Sequence, residues 1–480
     1  MKKILEILKN PIFYLCLILA VAFGVRLFKI DNPIADWHSW RQADTAAVAR
    51  NFYKLGFTPF TPIFDDMSGV SDPPIINPGR FRFVEFPIYP SLVYFGYLLA
   101  GGVDEKVARL VSILFSLGSV IFIYLIAKKY FGLATGLLSA AIFAFLPYNI
   151  YYSRVILPEP SLIFFCLGMF FFLDRWIRTN QGLAWSFLFL VCAFLTKPMA
   201  IFYLLPLIYS YYQKEGRLWP IPKKYFILIL GFIPFVLWRF WIAQHPEGIP
   251  ASNWLLNGNG IRFKPVFWEW IFQDRLGREI LTVFGSVLFF IGLLFKPNFK
   301  EGWLLHLLAF SSILYLIIIA TGNVQHDYYQ SLIVPALAIF TARGFIILYQ
   351  GIPNLVGRIF TIPLAILFLI MMFYSGWNQV KGLYQINNPV IVEAGKAADK
   401  ILPKDALIVA PYNGDTSFLY QTNRAGLPFI PTSLENIRDK YGIRFLVSVA
   451  KDNDTLYAMG HYKILINTDK YVIVDLTQPK

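Results

Sequence analysis

The stretch Val107–Ala127 reads VARLVSILFSLGSVIFIYLIA and is followed by Lys128 and Lys129. A helix crosses the hydrocarbon core of a bilayer with about 20 predominantly apolar residues. Because cations gather in the loops on the cytoplasmic side, the two lysines indicate the end that faces the cytoplasm. The stretch therefore predicts a transmembrane helix.

The rest of the chain repeats this pattern. Of its 480 residues, 57% are hydrophobic and 15% are charged, whereas a soluble domain has roughly a quarter charged residues, so a soluble protein is excluded. About eleven apolar stretches have the length of a membrane span or slightly less. They are residues 11–29, 107–127, 132–149, 160–174, 183–196, 198–212, 225–243, 280–295, 303–320, 331–349 and 359–377. The shorter stretches are expected to be tilted or partly re-entrant, and the predicted fold class is a polytopic α-helical membrane protein.

The distribution of charge predicts the topology. The net charge of +14 is spread between the apolar stretches and not gathered in basic runs, so nucleic-acid binding is not indicated. If the N-terminus is cytoplasmic, every loop on its side is basic. The cations concerned are Lys2, Lys3, Lys9, Lys128, Lys129, Arg175, Arg178, Lys214, Arg217, Lys223, Lys224, Lys296, Lys300 and Arg358. This pattern predicts a multi-pass protein of the cytoplasmic (inner) membrane, with the N-terminus cytoplasmic and the C-terminal segment periplasmic or extracellular.

Two domains are expected: a transmembrane domain, residues 1–383, and a small extracytoplasmic α/β domain, residues 384–480. In the second, short β-type runs alternate with helical stretches. The predicted strands are 406–410, 444–449, 463–466 and 471–475, and the predicted helices are 390–401 and 434–441. Within the first, residues 30–106 form an outer loop that is too long for a simple connection.

The first outer loop carries aromatic and charged residues at both of its ends. Asp36–Phe52 reads DWHSWRQADTAAVARNF, and its Ala-rich second half predicts a helix on which Arg41 and Asp44 share a face. The motif EFPIYP begins at Glu85 and precedes an apolar stretch, 91–100, that is interpreted as a surface or re-entrant helix. A helical ion pair of Arg41 with Asp44 is the structural alternative to a functional site.

Three later outer loops also carry ionisable residues. YYSRVILPEP contains Arg154 and Glu159, FLTKP contains Lys197, and TGNVQHDYYQ contains His326, Asp327 and Tyr328. Each has a structural alternative, because a carboxylate is favourable at a helix N-terminus, a lysine can snorkel from an apolar helix, and a lone histidine is usually structural.

Together these residues favour a site at the outer surface. The predicted topology places carboxylates and cations from four loops on one side of the membrane, while the middle of the spans is nearly free of ionisable residues. Transporters usually carry charged groups at the bilayer midplane. A group of carboxylates and cations at a surface suits transfer from a lipid-linked phosphate, because Arg or Lys neutralises the departing phosphate and Asp or Glu accepts the proton of an acceptor hydroxyl.

Five motifs resemble those of a known family: HSWRQADTAAVARNF, EFPIYP, SRVILPE, TKP and HDYYQ. In this layout the chain is similar to the polytopic membrane glycosyltransferases of GT-C type, specifically the bacterial relatives of protein O-mannosyltransferase and aminoarabinose transferase. The resemblance implies a polyprenyl-phosphate-linked sugar donor and inverting transfer to a hydroxyl or amine of a lipid, glycan or protein acceptor. It also implies that the reaction occurs on the outer face of the membrane, with an acidic residue of the first outer loop as the base.

The resemblance also implies roles for single residues, with one departure. Many relatives have an Asp-Glu pair at the start of the first surface helix, where this chain has Arg41 and Gln42, so another nearby acid must be the base. Asp44 ranks first, followed by Asp36 and Glu85. Glu159 corresponds to a substrate or metal contact and Lys197 to a contact of the lipid phosphate. The remaining candidates for binding donor phosphate or substrate are Arg41, His38, Arg154, His326, Asp327 and Tyr328.

Three questions stay open at this point. No cofactor is certain, and a divalent metal ion is the candidate. The sugar and the acceptor do not follow from the sequence. A transporter or flippase of lipid-linked saccharide, or a non-catalytic scaffold of the cell envelope, are the alternative function classes.

Overall fold

A computed structural model describes residues 10–73, 75–297, 299–352 and 356–480. The chain forms two compact units. The first, called the membrane unit, comprises Met1–Ile30, Ser112–Trp238 and Ser252–Gly382. The second comprises Asp31–Val111, Arg239–Ala251 and Leu383–Lys480, and it is called the outer unit after the predicted first outer loop that it contains. Lys2, Lys3 and Lys9, on which the predicted orientation partly depends, lie outside the described residues.

Helices dominate the described residues up to Tyr384, apart from the long non-helical segment between Leu55 and Ile88. The α-helices there are Pro11–Arg26, Ser39–Leu55, Ile88–Ala100, Glu105–Phe131, Leu133–Phe145, Pro147–Tyr152, Glu159–Thr179, Leu183–Thr196, Ile201–Leu204, Leu207–Glu215, Ile233–Ile242, Pro265–Glu269, Thr282–Leu294, Trp303–Ile318, Ala320–Gln325, Val334–Gln350 and Arg358–Val380. Shorter 3₁₀ segments are Pro198–Ala200, Lys223–Phe232, Pro246–Gly248, Gly258–Phe263, Lys300–Gly302, Asp327–Ile333 and Lys381–Tyr384, and Trp270–Ile280 is a π-helix.

The predicted count of eleven spans is not confirmed. Among the described residues, six helical segments are long and apolar enough to cross a membrane, or seven if the pair Pro265–Ile280 and Thr282–Leu294, bent by 107°, is one span. The predicted spans 11–29, 132–149 and 183–196 are apolar helices of 16, 13 and 14 residues. The predicted span 198–212 is broken into Pro198–Ala200, Ile201–Leu204 and Leu207–Glu215. Pro206, which lacks a backbone donor, separates the last two pieces.

Glycine allows two helices of the membrane unit to approach closely. Thr282–Leu294 packs against Val334–Gln350, and a Cβ added at Gly292 or Gly344 would collide with the backbone of the opposite helix. Between apolar helices in a lipid environment, such small residues increase the van der Waals contact that holds the helices together. The pair is thus fixed by backbone proximity.

The C-terminal segment of the outer unit forms a mixed five-stranded sheet in the order β2-β1-β3-β5-β4. Its strands are β1 Leu407–Val409, β2 Ala425–Leu427, β3 Phe445–Ser448, β4 Tyr462–Asn467 and β5 Val472–Pro479. Strand β1 is parallel to β2 and β3, whereas β5 is antiparallel to β3 and β4. Its helices are Pro389–Ile401, Thr416–Gln421, Leu434–Tyr441 and Asn453–His461.

Helices cover both faces of this sheet, so the central strands β1 and β3 are short, mostly apolar runs. One face packs on the helices Pro389–Ile401 and Thr416–Gln421, and the other packs on Leu434–Tyr441 and Asn453–His461. Each helix begins after a residue whose side chain accepts a hydrogen bond from the first turn. These N-caps are Asn388, Asp415, Ser433 and Asp452.

The small C-terminal α/β fold is confirmed, with all four predicted strands and both predicted helices present. The sequence pattern missed β2 and the helices Thr416–Gln421 and Asn453–His461. Strand β2 has three residues and contains Gly426, so it lacks the apolar run that marks a strand. A Cβ at Gly426 would collide with Ile408 of β1, so the pairing of these strands requires glycine.

The first outer loop, expected to group with the transmembrane domain, packs with the C-terminal segment in the outer unit. Its backbone joins the edge of the sheet, because the Gly426 amide donates to the Asp65 carbonyl at 2.9 Å and the Met67 amide donates to the Gly426 carbonyl at 2.8 Å. Ala35 and Met67 enter the cores on the two faces of the sheet. The predicted surface helix is present as Ser39–Leu55, and the stretch 91–100 forms most of the helix Ile88–Ala100.

Candidate functional site

The outer unit brings four charged side chains together, here called the outer-loop cluster: Arg41, Asp44, Arg82 and Glu85. Arg41 and Asp44 lie one turn apart on the helix Ser39–Leu55. Arg82 and Glu85 follow on an extended segment held by hydrogen bonds from the Arg82 amide to the Pro62 carbonyl at 2.9 Å and from the Phe83 amide to the Gly248 carbonyl at 2.8 Å. Two separate parts of the loop therefore meet in the cluster.

The cluster consists of two buried ion pairs. Nη2 of Arg41 donates to both carboxylate oxygens of Glu85 at 3.0 Å, and Nη2 of Arg82 lies 2.7 Å from Oδ2 of Asp44. The hydroxyl of Thr416 donates to Oδ1 of Asp44 at 2.7 Å. All four charged side chains are at most 10% exposed, and they line one small pocket with Thr45, Val48, Pro62, Pro87 and Pro90.

Asp36 and His38, also predicted for this site, lie outside the lining of that pocket. Asp36 is completely buried and accepts a hydrogen bond from the Gln42 side chain at 2.7 Å. His38 precedes the helix Ser39–Leu55 in a left-handed conformation with φ of 54°, and its ring is 5.2 Å from that of Trp37. A non-glycine residue in this region is strained, so the surrounding contacts must hold it there.

Two further carboxyl groups of the outer unit experience the charge of Asp44. Burial raises the pKa of Asp66 to about 6, with a smaller increase from Asp44, although the amide and hydroxyl of Ser68 donate to its ionised form. Burial also raises the pKa of Asp415, again with a contribution from Asp44 and against hydrogen bonding by Ser417. The surroundings of Asp44 are therefore acidic as well as buried.

The membrane unit has a second charged group, here called the lysine cluster: Glu159, Lys197 and Tyr329. Glu159 is the first residue of the helix Glu159–Thr179, and Lys197 directly follows the helix Leu183–Thr196 in an extended conformation. Nζ of Lys197 bonds Oε1 of Glu159 and lies 5.2 Å from the centre of the Tyr329 ring. The two helices pack together, so their ends place the two charges side by side.

The lysine cluster has apolar surroundings and one carboxylate oxygen without a partner. The three residues line a small pocket with Leu162, Ile163, Met199, Tyr315 and Leu332. Oε2 of Glu159 is buried and has no hydrogen-bond partner among the residues that the structure describes. Because an unsatisfied buried carboxylate oxygen costs free energy, this atom is a candidate acceptor for a ligand or a water molecule.

Arg154, His326, Asp327 and Tyr328 lie outside the lining of that pocket. Arg154 is completely buried, and its Nη1 donates to the backbone carbonyl of Lys29 at 2.9 Å. The carbonyl of Asp327 accepts the Tyr148 hydroxyl, and the His326 ring stacks on Tyr328 with centroids 5.3 Å apart. These contacts hold the side chains in the fold, and the assignment of the four residues to donor binding stays a prediction.

Sequence reasoning missed several residues of the two clusters. Arg82 and Thr416 bind Asp44, and Tyr329, directly after the predicted Tyr328, underlies Lys197. Outside the two clusters, sequence reasoning also missed the ion pair in which Arg275 donates to Glu279 at 2.8 Å. The charge of Asp327 acts on Glu279 of this pair. The spacing of Arg275 and Glu279 by four residues was a usable signal. Thr416 had none, because it is 372 residues away from Asp44.

A site for a divalent metal ion does not fit the described side chains. Within the described ranges, no group of three or more His, Cys, Asp or Glu residues is arranged to hold a metal ion. Each carboxylate of the outer-loop cluster is paired with a guanidinium group. A cation at either carboxylate would have to displace an arginine.

Comparison with known proteins gives a family match over a third of the chain. Residues 85–241 match the family model described as dolichyl-phosphate-mannose-protein mannosyltransferase. The matched region contains Glu85, Glu159 and Lys197. Over 149 residues the chain is 34% identical to an uncharacterized protein of Aquifex aeolicus strain VF5, and this similarity covers 30% of the chain and 34% of that protein.

Solved structures match over nearly the full length. ArnT from Cupriavidus metallidurans bound to undecaprenyl phosphate has a TM-score of 0.61 at 13% identity, covering 96% of this chain and 97% of ArnT. The archaeal oligosaccharyltransferase AglB from Archaeoglobus fulgidus, in complex with an inhibitory peptide and a dolichol-phosphate, has a TM-score of 0.55 at 10% identity, covering 96% of this chain and 74% of AglB. The predicted resemblance to the GT-C type membrane glycosyltransferases is therefore confirmed, and the chain has an ArnT-like fold.

Proposed function

We propose that the protein is a glycosyltransferase that moves a sugar from a polyprenyl-phosphate-linked donor to a hydroxyl or amine at the outer face of the cytoplasmic membrane. The observation that carries the proposal is the lysine cluster, in which an ammonium group and a half-satisfied carboxylate line one pocket in apolar surroundings. The family match over residues 85–241 and the fold shared with ArnT support it.

Lys197 is assigned to the donor phosphate. In apolar surroundings an ammonium group stabilises the negative charge that develops on a departing phosphate far more strongly than it would in water. The ion pair with Glu159 holds Lys197 at the pocket before the donor binds. Oε2 of Glu159 can then accept a hydroxyl of the donor sugar.

Asp44 is assigned to the acceptor, because it lines its pocket whereas Asp36 is completely buried and lies outside the lining. An acceptor hydroxyl oxygen forms a bond to the anomeric carbon, and the bond from that carbon to the phosphate oxygen breaks. The electron pair leaves with the polyprenyl phosphate, and the carboxylate takes the hydroxyl proton. Attack opposite the leaving group inverts the anomeric centre. No step is routed through a metal ion.

The test is turnover by the purified, full-length protein in lipid nanodiscs. A panel of polyprenyl-phosphate sugars, each radiolabelled in the lipid, is supplied with an extract of envelope lipids and glycans as acceptors. We expect release of polyprenyl phosphate from one donor, with transfer of its sugar seen by mass spectrometry. A panel that stays intact throughout contradicts the proposal. Movement of an unchanged lipid across the bilayer of proteoliposomes would select a flippase.

The orientation is tested separately by reporter fusions. A periplasmic-type reporter after residue 382 is expected to be active, and a cytoplasmic reporter near Lys223 is expected to be active. The reverse pattern would contradict the proposed location of the C-terminal segment.

A further inference from the structure

We propose that the C-terminal segment contributes a positioning residue, Thr416, to the reaction by fixing the carboxylate of Asp44. The inference rests on the proposed function, in which Asp44 accepts the proton. Thr416 belongs to a segment that the sequence places outside every motif shared with the family.

The contacts of Asp44 determine the direction of its carboxylate. The hydroxyl of Thr416 donates to Oδ1 at 2.7 Å, and Nη2 of Arg82 lies 2.7 Å from Oδ2 in an ion pair. Because the hydrogen bond and the ion pair involve different oxygens, together they fix the rotation of the carboxylate plane. Each oxygen keeps a second lone pair, which can accept the proton of an acceptor hydroxyl.

Thr416 is itself held firmly. It begins the helix Thr416–Gln421, whose N-cap Asp415 accepts the Ser417 amide at 2.7 Å. The preceding turn uses Asn413 and Gly414 at φ of 52° and 80°. The carbonyl of Pro428 accepts the amides of Tyr412 at 2.9 Å and Gly414 at 3.3 Å, which ties this turn to the end of strand β2.

Further bonds set the position of this helix against the surface helix Ser39–Leu55. Nη1 of Arg50 donates to the Tyr420 carbonyl at 3.0 Å, and the guanidinium group lies 3.9 Å from the centre of the Tyr420 ring. Nε2 of Gln421 donates to the Ile34 carbonyl at 3.0 Å. The bond from Thr416 to Asp44 is thus one of several that fix the two helices in register.

The bond to Asp44 differs from the others in its chemistry. Arg50 and Gln421 bind backbone carbonyls, which hold the fold together, whereas Thr416 binds an ionised side chain that lines a pocket. A hydrogen bond to a charged group is stronger than one between neutral groups. Without the bond from Thr416, the carboxylate of Asp44 could rotate while it stays in contact with Arg82. It would then lose the orientation that the acceptor requires.

The test compares three variants of the full-length protein in nanodiscs. Thr416→Val keeps the size of the side chain and removes the donor, whereas Thr416→Ser restores the donor. Thr422→Val makes the same change at the other end of the short helix, where the hydroxyl donates to the Leu419 carbonyl. We expect Thr416→Val to lower kcat about tenfold, as for a lost bond to a charged group, with the donor KM unchanged. Thr416→Ser and Thr422→Val are expected to stay within about twofold of the wild type.

A thermal double-mutant cycle with Thr416→Val and Asp44→Ala gives a second readout that does not need turnover. We expect the two changes in Tm to be non-additive, because each removes the same bond. The inference would be overturned if Thr416→Val had the kcat of the wild type, or if Thr416→Val and Thr422→Val lowered kcat equally. Additive changes in Tm would overturn it as well. If the wild type turns over no donor, the proposed function fails, and the cycle alone still decides whether Thr416 holds Asp44.

Discussion

The lysine cluster and the outer-loop cluster solve the same problem, the burial of charge, in different ways. The outer-loop cluster pairs two carboxylates with two guanidinium groups and satisfies Asp44 further with Thr416. The lysine cluster has one ammonium and one carboxylate, and Oε2 of Glu159 finds no hydrogen-bond partner within the described part of the chain.

The difference lies in the carboxylates, because among the described residues the buried atom without a hydrogen-bond partner is Oε2 of Glu159 in the lysine cluster but Nε of Arg82 in the outer-loop cluster. A buried pair with all oxygens satisfied needs no ligand, whereas a buried carboxylate oxygen without a donor pays a desolvation cost that a ligand can offset. The lysine cluster is therefore expected to gain stability from the donor. The outer-loop cluster is expected to act as a rigid frame for Asp44.

The largest effect is expected at Lys197. Lys197→Met leaves Glu159 buried without a cation, which should cost about 3–5 kcal/mol of stability and reduce turnover at least a hundredfold through loss of phosphate stabilisation. Unfolding in denaturant and donor turnover measure the two losses. The double variant Lys197→Met with Glu159→Gln removes both charges, so it should regain stability while turnover stays low. Recovery of turnover in that variant would remove Lys197 from the proposed chemistry.

Asp44→Asn should have the next largest effect. The amide keeps the size of the side chain and can still accept from Thr416, but it cannot take a proton, so kcat should fall about 10²–10⁴-fold at unchanged donor KM. Kinetics at saturating donor measure this loss. Glu85→Gln is the matched change in the second ion pair and should lower kcat much less. If both variants lost kcat equally, the outer-loop cluster would have only a structural role, and Asp44 would not be the base.

Asp66 tests whether the outer unit responds to pH. Because burial raises the pKa of Asp66 to about 6 in the folded protein, the folded state binds this proton more tightly than the unfolded chain does. The protonated Asp66 therefore contributes most to the free energy of unfolding below about pH 4. This contribution decreases by up to about 3 kcal/mol as the pH rises through about 6. Asp66→Asn should flatten this decrease and stabilise the protein at pH 7.

Thermal unfolding of wild type and Asp66→Asn at pH 4.5, 5.5 and 7 measures that difference. Asp439→Asn, at an exposed position paired with Arg438, is the control and should leave the pH dependence of the wild type unchanged. If Tm depended on pH in the same way in the wild type and in Asp66→Asn, the assignment of this pH dependence to Asp66 would be contradicted.

The smallest effect is expected from Arg41→Lys. The lysine keeps the charge beside Glu85 but has no planar fork, so the buried pair should weaken by about 1 kcal/mol. Denaturant unfolding measures this loss. Arg438→Lys, in an exposed pair, should have no measurable effect. A loss at Arg41 as large as that at Lys197 would erase the distinction between the two clusters.

Much of the fold was accessible from local patterns. The surface helix beginning at Ser39, the helix Leu434–Tyr441 and the strands β1, β3, β4 and β5 each have a hydrophobic period or a cap that identifies them within a few residues. The number of spans was not accessible, because Leu133–Phe145 and Leu183–Thr196 are short for a bilayer and Pro206 breaks an otherwise apolar stretch.

The candidate site was only partly accessible. Arg41, Asp44, Glu85, Glu159 and Lys197 were identified from their chemistry and from motif resemblance, and each lines one of the two pockets. The pairing was not predicted, because the neighbours Arg41 and Asp44 suggested a helical ion pair, whereas the structure joins Arg41 to Glu85 and Asp44 to Arg82.

The amino-acid sequence by itself determined that this is a helical membrane protein with a small α/β segment, since hydrophobic length and periodicity are local properties. Its short motifs also indicated the resemblance to the GT-C type glycosyltransferases. Only the tertiary structure decided which charges meet. Thr416 reaches Asp44 across 372 residues, and the first outer loop completes the edge of a sheet formed by the C-terminal segment. Such contacts depend on packing between distant segments, and no local pattern records them.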